Sequence, residues 1–175
     1  MSSSIVESFT DLVHAKRIVH RDIKPQNVVM KNDEGQHKVR LIDFGEAVKL
    51  PQGLDLLRGS AGTLQFMAPE VGKRVKPDGY DAFKAEVWSF GCLLYSYYYL
   101  QPPIWGESLV DLFKAIETGA WRFLEEVRPV PELLKQVITA CLTIDADKRP
   151  SLQEVSQMEW FTSGISEWVG NGLVS

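Results

Sequence analysis

The stretch from Val87 to Leu100 is the most apolar in the chain, and it constrains the fold more than any other. Ser89, Gly91, Ser96 and several tyrosines interrupt it, and Pro102-Pro103 close it before the ~20 residues a bilayer span needs. A helix that is apolar around most of its circumference has to be wrapped by protein. The chain is therefore expected to build its core around this one helix, which starts near Ala85, with shorter helices packed on it.

Those shorter helices show as apolar residues at helical spacing: Leu109, Leu112, Phe113 and Ile116; then Leu133, Leu134, Val137, Ile138 and Cys141; then Leu152, Val155 and Met158. Upstream, Ile5, Val6, Phe9, Leu12 and Val13 predict another, ending near His14-Ala15-Lys16. Strand signal is concentrated in Val28-Val29-Met30 and Val39-Arg40-Leu41-Ile42, which flank Asn32-Asp33-Glu34-Gly35 and predict a hairpin, with Ile18-Val19 as a short strand-like piece before it. From Glu46 to Thr63 periodicity is lost, and Pro51, Gly53, Gly59 and Gly62 mark a long surface loop. Residues 162–175 read as a loosely ordered tail. The fold class is mainly α with a small β-hairpin.

With 175 residues, 45% of them hydrophobic, the chain has the length of one domain and can hide roughly 70% of its unfolded surface without disulfides. Nineteen Lys and Arg against 23 Asp and Glu give a net charge of −4, so no positive field attracts nucleic acid or anionic lipid. Cys92 and Cys141 lie in apolar periodic stretches outside any metal-type spacing and read as buried thiols. Met1-Ser2-Ser3-Ser4 carries no basic or apolar leader, which points to an intracellular address, cytoplasmic or nuclear.

The chemistry is concentrated early. His20-Arg21-Asp22, Lys24, Asn27 and Asp43-Phe44-Gly45 follow one another within a short span. A hard cation such as Mg²⁺ takes oxygen ligands, and one carboxylate (Asp43) with one amide oxygen (Asn27) supplies them while leaving Asp22 free for a nucleophile. The hairpin between Asp22 and Asp43 returns the chain to its starting end, so both acids are expected together.

These residues resemble the eukaryotic protein kinase family. His20 to Asn27 matches the catalytic loop H-R-D-x-x-x-x-N, Asp43-Phe44-Gly45 the D-F-G, and Ala68-Pro69-Glu70 the A-P-E that closes an activation segment spanning residues 43–70. Gly62-Thr63, Trp88-Ser89-Phe90-Gly91 and Asp147-Lys148-Arg149-Pro150 extend the resemblance over about residues 5–161, and Lys24 resembles the serine/threonine type. The resemblance implies ATP- and Mg²⁺-dependent transfer of a γ-phosphate to a protein hydroxyl. Asp22 and Lys24 would be catalytic, with Lys24 on the γ-phosphate, and Asn27 and Asp43 would hold the metal. It also implies that Glu70 and Arg149 form a buried ion pair, and that Arg21 organises the activation segment around a phosphate, with Ser60 and Thr63 as the nearby hydroxyls and Thr63 the one facing substrate.

Two departures temper the resemblance. Only 19 residues precede His20, and the sequence holds no Gly-rich loop and no V-A-I-K-like strand, so the chain reads as the large, C-terminal lobe without the small β-rich lobe. By itself it is expected to be inactive, and its uncovered apolar face to draw protein substrates or regulators. The alternative is a non-catalytic kinase-like binding or regulatory module. The second departure is Glu86, where the family carries aspartate; the extra methylene, about 1.5 Å, is expected to displace its carboxylate and loosen the catalytic loop. His14 reads as an ordinary helix-end residue, and His20 as a packed one. Lys73-Arg74-Val75-Lys76 reads as a solvated loop.

Overall fold

The structure, a computed structural model, describes residues 13–33, 36–72 and 79–163. The predicted N-terminal helix lies almost wholly outside these residues, as do Lys73 to Lys76 and the tail beyond Ser163. What is described begins with a 3₁₀ turn, His14–Lys16, closed by Arg17 in the left-handed region.

Among the described residues, six strands form three two-stranded antiparallel ribbons. The principal one is the predicted hairpin, β2 (Val28–Asp33) against β3 (Gln36–Leu41), in a register that pairs Val28 with Leu41 and Met30 with Val39. Strand β1 (Ile18–Val19) pairs with β4 (Val48–Lys49), and β5 (Leu56–Leu57) pairs with β6 (Tyr80–Asp81). The stretch predicted as a plain loop therefore contains two short strands. They have no alternating apolar pattern because each lies against a single partner and stays partly exposed.

The rest is helical. After α1 (Pro69–Gly72) comes α2 (Ala82–Tyr99), the apolar helix of the sequence, which starts three residues earlier than its periodicity indicates because Asp81 caps it by accepting from the Lys84 amide at 3.0 Å. Val87, Trp88, Phe90, Cys92 and Leu93 are fully buried, so it is wrapped on nearly all sides. Three of its four tyrosines find a partner for the hydroxyl: Tyr95 donates to the Arg122 carbonyl at 2.9 Å, Tyr99 to that of Arg128 at 3.1 Å, and Tyr98 to that of Pro129. Each of these rings packs while its polar tip is bonded.

Around it lie α3 (Leu109–Thr118), α4 (Glu132–Cys141), α5 (Leu152–Ser156) and α6 (Glu159–Thr162). Gly91 lets α4 approach closely, since a Cβ there would stand 2.6 Å from the Cys141 Cβ. Ser151 and Glu154 form a reciprocal capping box that starts α5. Cys92 and Cys141 are both buried and free, and burial pushes the Cys141 thiol up to about 12. Among the described residues no helix is long and apolar enough to cross a membrane.

Candidate active site

Strand β1 delivers the chain to His20, which is fully buried. Its Nε2 lies 3.0 Å from the Ile42 carbonyl and its Nδ1 3.4 Å from the Asp22 amide, an arrangement served by a ring that donates from Nε2 and accepts at Nδ1. The Phe44 ring meets it edge-on at 4.7 Å. One packed histidine thus joins Asp22 to the residues flanking Asp43.

Arg21 then takes a left-handed conformation, φ 69°, and Asp43 another, φ 61°. Such backbone needs external support. Glu86, reaching in from α2, supplies it at Arg21: its Oε2 accepts from the His20 amide at 2.5 Å and the Arg21 amide at 3.0 Å. The loosened loop expected from the longer side chain is therefore corrected. Glu86 is 2% exposed, and its second oxygen, Oε1, meets His14 Nε2 at 3.1 Å. His14, read from sequence as an ordinary helix-end residue, completes this anchor. Nothing local in the sequence signals a pair separated by 72 residues; the glutamate standing where the family has aspartate was the one hint.

Asp22 faces a polar network. Its Oδ1 accepts from the Thr63 amide at 2.9 Å and the Thr63 hydroxyl at 2.8 Å. Its Oδ2 meets Lys24 Nζ at 2.6 Å and Asn27 Nδ2 at 3.1 Å. Lys24 Nζ also donates to Thr63 Oγ1 at 2.9 Å, and Asn27 Nδ2 to the Asp22 carbonyl at 2.8 Å. Burial pushes the Asp22 carboxyl upward, but the bonds from Lys24 and Thr63 outweigh it and hold the group below the ordinary aspartate range.

Thr63 reaches Asp22 because Gly62 permits it. Gly62 has φ 92°, and a Cβ there would lie 2.1 Å from the Arg21 carbonyl oxygen. Ser60 stands exposed nearby in sequence. Burial pushes the Tyr80 phenol up and the nearby Arg21 charge opposes that rise, while Arg21 Nε is buried with no hydrogen-bond partner among the described residues.

Two residues could hold a metal. Asn27 commits its amide nitrogen to Asp22, which leaves its amide oxygen as an acceptor; Asp43 is exposed, and its Oδ1 takes the Gly45 amide at 3.2 Å. Among the described residues no cage of three or more His, Cys, Asp or Glu exists. A small hard-oxygen set suits Mg²⁺, which keeps waters and shares substrate phosphates.

Farther out, Glu70 and Arg149 form a bidentate pair, Nη1–Oε1 2.6 Å and Nη2–Oε2 3.1 Å. Arg149 is 1% exposed, and it also donates to the Thr143 carbonyl at 2.9 Å and the Lys84 carbonyl at 2.6 Å. The pair ties α1 to the helical core.

The Protein kinase domain family matches residues 2–161. The chain belongs to the protein kinase family. Among curated kinases, it is 32% identical to calcium-dependent protein kinase 3 of Plasmodium berghei (strain Anka), over 88% of this chain and 27% of that one. It is 37% identical to a putative mitogen-activated protein kinase kinase kinase 7-like protein of Drosophila melanogaster, over 86% and 38%. It is 38% identical to serine/threonine-protein kinase Nek10 of Homo sapiens, over 82% and 11%. The chain thus spans well under half the length of these kinases.

Proposed function

We propose that this chain carries the catalytic-loop part of a serine/threonine protein kinase, the large lobe, and that it works inside the cell on protein hydroxyls with ATP and Mg²⁺. The observation that carries the reading is the network on Asp22: one carboxylate held by Lys24, Asn27 and Thr63. A carboxylate held below its ordinary range is a weak proton acceptor in the ground state. Its contribution is to accept the hydrogen bond of the incoming hydroxyl and orient it, taking the proton late, as the phosphoryl bond forms. Lys24 bonds both Asp22 and Thr63, and its charge would steady that of the transferred group.

Asn27 and Asp43 would hold Mg²⁺, which supplies charge neutralisation on the phosphates when bound. Substrate specificity would arise at Thr63 and the turn before it.

The 175 residues include no Gly-rich loop. By themselves they leave ATP facing water, where electrostatic stabilisation is weak. The isolated chain is therefore proposed to have no appreciable turnover, whereas joining it to the small lobe of a related kinase should produce protein-phosphorylating activity that Asp22→Asn abolishes. A natively folded fusion without activity would favour the second reading, a binding module. That reading has its own support in Met30, Ile42 and Phe44, which are 52%, 41% and 47% exposed along the hairpin and its exit.

A further inference from the structure

Outside the residues around Asp22, one side chain gathers an unusual number of backbone groups. Arg17 sits at φ 57° between the first 3₁₀ turn and β1. Its carbonyl accepts from the Leu50 amide at 2.8 Å. Its Nε lies 3.4 Å from the Leu50 carbonyl and 3.2 Å from that of Pro51, and its Nη2 2.9 Å from the Leu54 carbonyl and 2.5 Å from Asp55 Oδ1. The guanidinium carbon stands 5.2 Å over the Phe83 ring. Asp55 in turn offers its own carbonyl to the Ala82 amide at 2.9 Å, at the start of α2.

Three carbonyls and a carboxylate therefore converge on one planar fork. A guanidinium can serve several acceptors at once; an ammonium is a point charge that cannot span them. The Asp55 carboxylate is half exposed, so water can replace that contact at little cost. The carbonyls of Leu50, Pro51 and Leu54 carry the clamp. Downstream, the same segment is pinned by Gly62 against the Arg21 carbonyl and by Thr63 on Asp22.

We propose that Arg17 is the positioning residue of the activation segment: a guanidinium clamp that holds residues 50–55 in place. The role of those residues as an activation segment rests on the kinase reading above; the clamp itself does not.

Backbone amide hydrogen exchange on the full 175-residue chain tests the clamp without any turnover. Arg17→Ala should speed exchange across residues 50–57 about tenfold or more, the effect of losing charge-assisted hydrogen bonds, while residues 132–141 of α4 stay unchanged. Arg17→Lys should fall between, and it supplies the same comparison should Arg17→Ala not fold. Unchanged exchange across 50–57 in both Arg17 variants would overturn the proposal. A fusion that lacks kinase activity yet shows the Arg17 effect would remove the kinase reading and keep the clamp.

Discussion

Two carboxylates in this kinase chain are each met by a basic side chain, and the two pairs are built differently. Glu70 faces an arginine that is 1% exposed and whose remaining donors are already spent on the carbonyls of Thr143 and Lys84. Asp22 faces Lys24 through one oxygen, while Thr63 and Asn27 share the load. The first pair has no alternative arrangement, because a buried guanidinium without its carboxylate is an uncompensated charge. The second is a network in which any donor can yield to an incoming group while the others remain. A rigid pair locks architecture; a divided one leaves room for chemistry.

The sharpest way to break that contrast is Arg149→Met. Leaving Glu70 partnerless and removing the bonds to the Thr143 and Lys84 carbonyls should cost about 3–5 kcal/mol in urea unfolding. Asp22→Asn keeps the shape but turns an amide nitrogen toward two of the four donors that Asp22 accepts from, so it should cost less, about 1–2 kcal/mol. If the two variants lost equal stability, the division between a structural and a functional pair would fail.

Gly62→Ala comes next. A methyl 2.1 Å from the Arg21 carbonyl, at φ 92°, cannot be accommodated without moving the turn, at a cost of about 1–3 kcal/mol. The turn carries Thr63, so amide exchange at Thr63 should rise with the loss of stability, while the Glu70 pair is untouched. Glu86→Gln is smaller again, about 1–2 kcal/mol, because an amide oxygen can still accept from the His20 or Arg21 amide but loses its charge. Exchange of those two amides, with Thr63 unaffected, would separate the loop anchor from the substrate side.

These cases show what could be read before the structure. The apolar run of α2 and the helical spacings of α4 and α5 were legible because burial imposes a period on each of them; α3 shows the same spacing although Leu109 and Phe113 are exposed and only Ile116 of its predicted face is fully buried, and the hairpin was legible from its β-branched runs around a turn. The motif residues were legible by type, and Glu70 with Arg149 by resemblance. The contacts that bind the site were not. His14 reaches Glu86, and Arg17 reaches Leu54, through pairings 72 and 37 residues apart that leave no local pattern. Glu86, expected to loosen the loop, instead reaches both amides and still meets His14. The two-residue strands β4 and β5 were hidden because they draw their stability from a partner strand and bury no face of their own.

The smallest expected effect is the acid dependence that separates Asp22 from its surroundings. Burial raises the Asp22 carboxyl, yet the bonds from Lys24 and Thr63 bring it below the ordinary aspartate range in the folded chain. As the pH falls, the unfolded chain therefore takes up this proton first, and unfolding is favoured. The stabilisation that Asp22 contributes as a carboxylate is complete above the ordinary aspartate range and is lost as the pH drops through the lowered native value. Asparagine has no proton to exchange. Urea midpoints for the parent and Asp22→Asn should hold a constant separation from pH 7 to pH 5, and the contribution favouring the parent should shrink toward pH 3. If that separation instead moved in the parent's favour in acid, burial would have won over Lys24 and Thr63, and Asp22 would be a group poised to hold a proton.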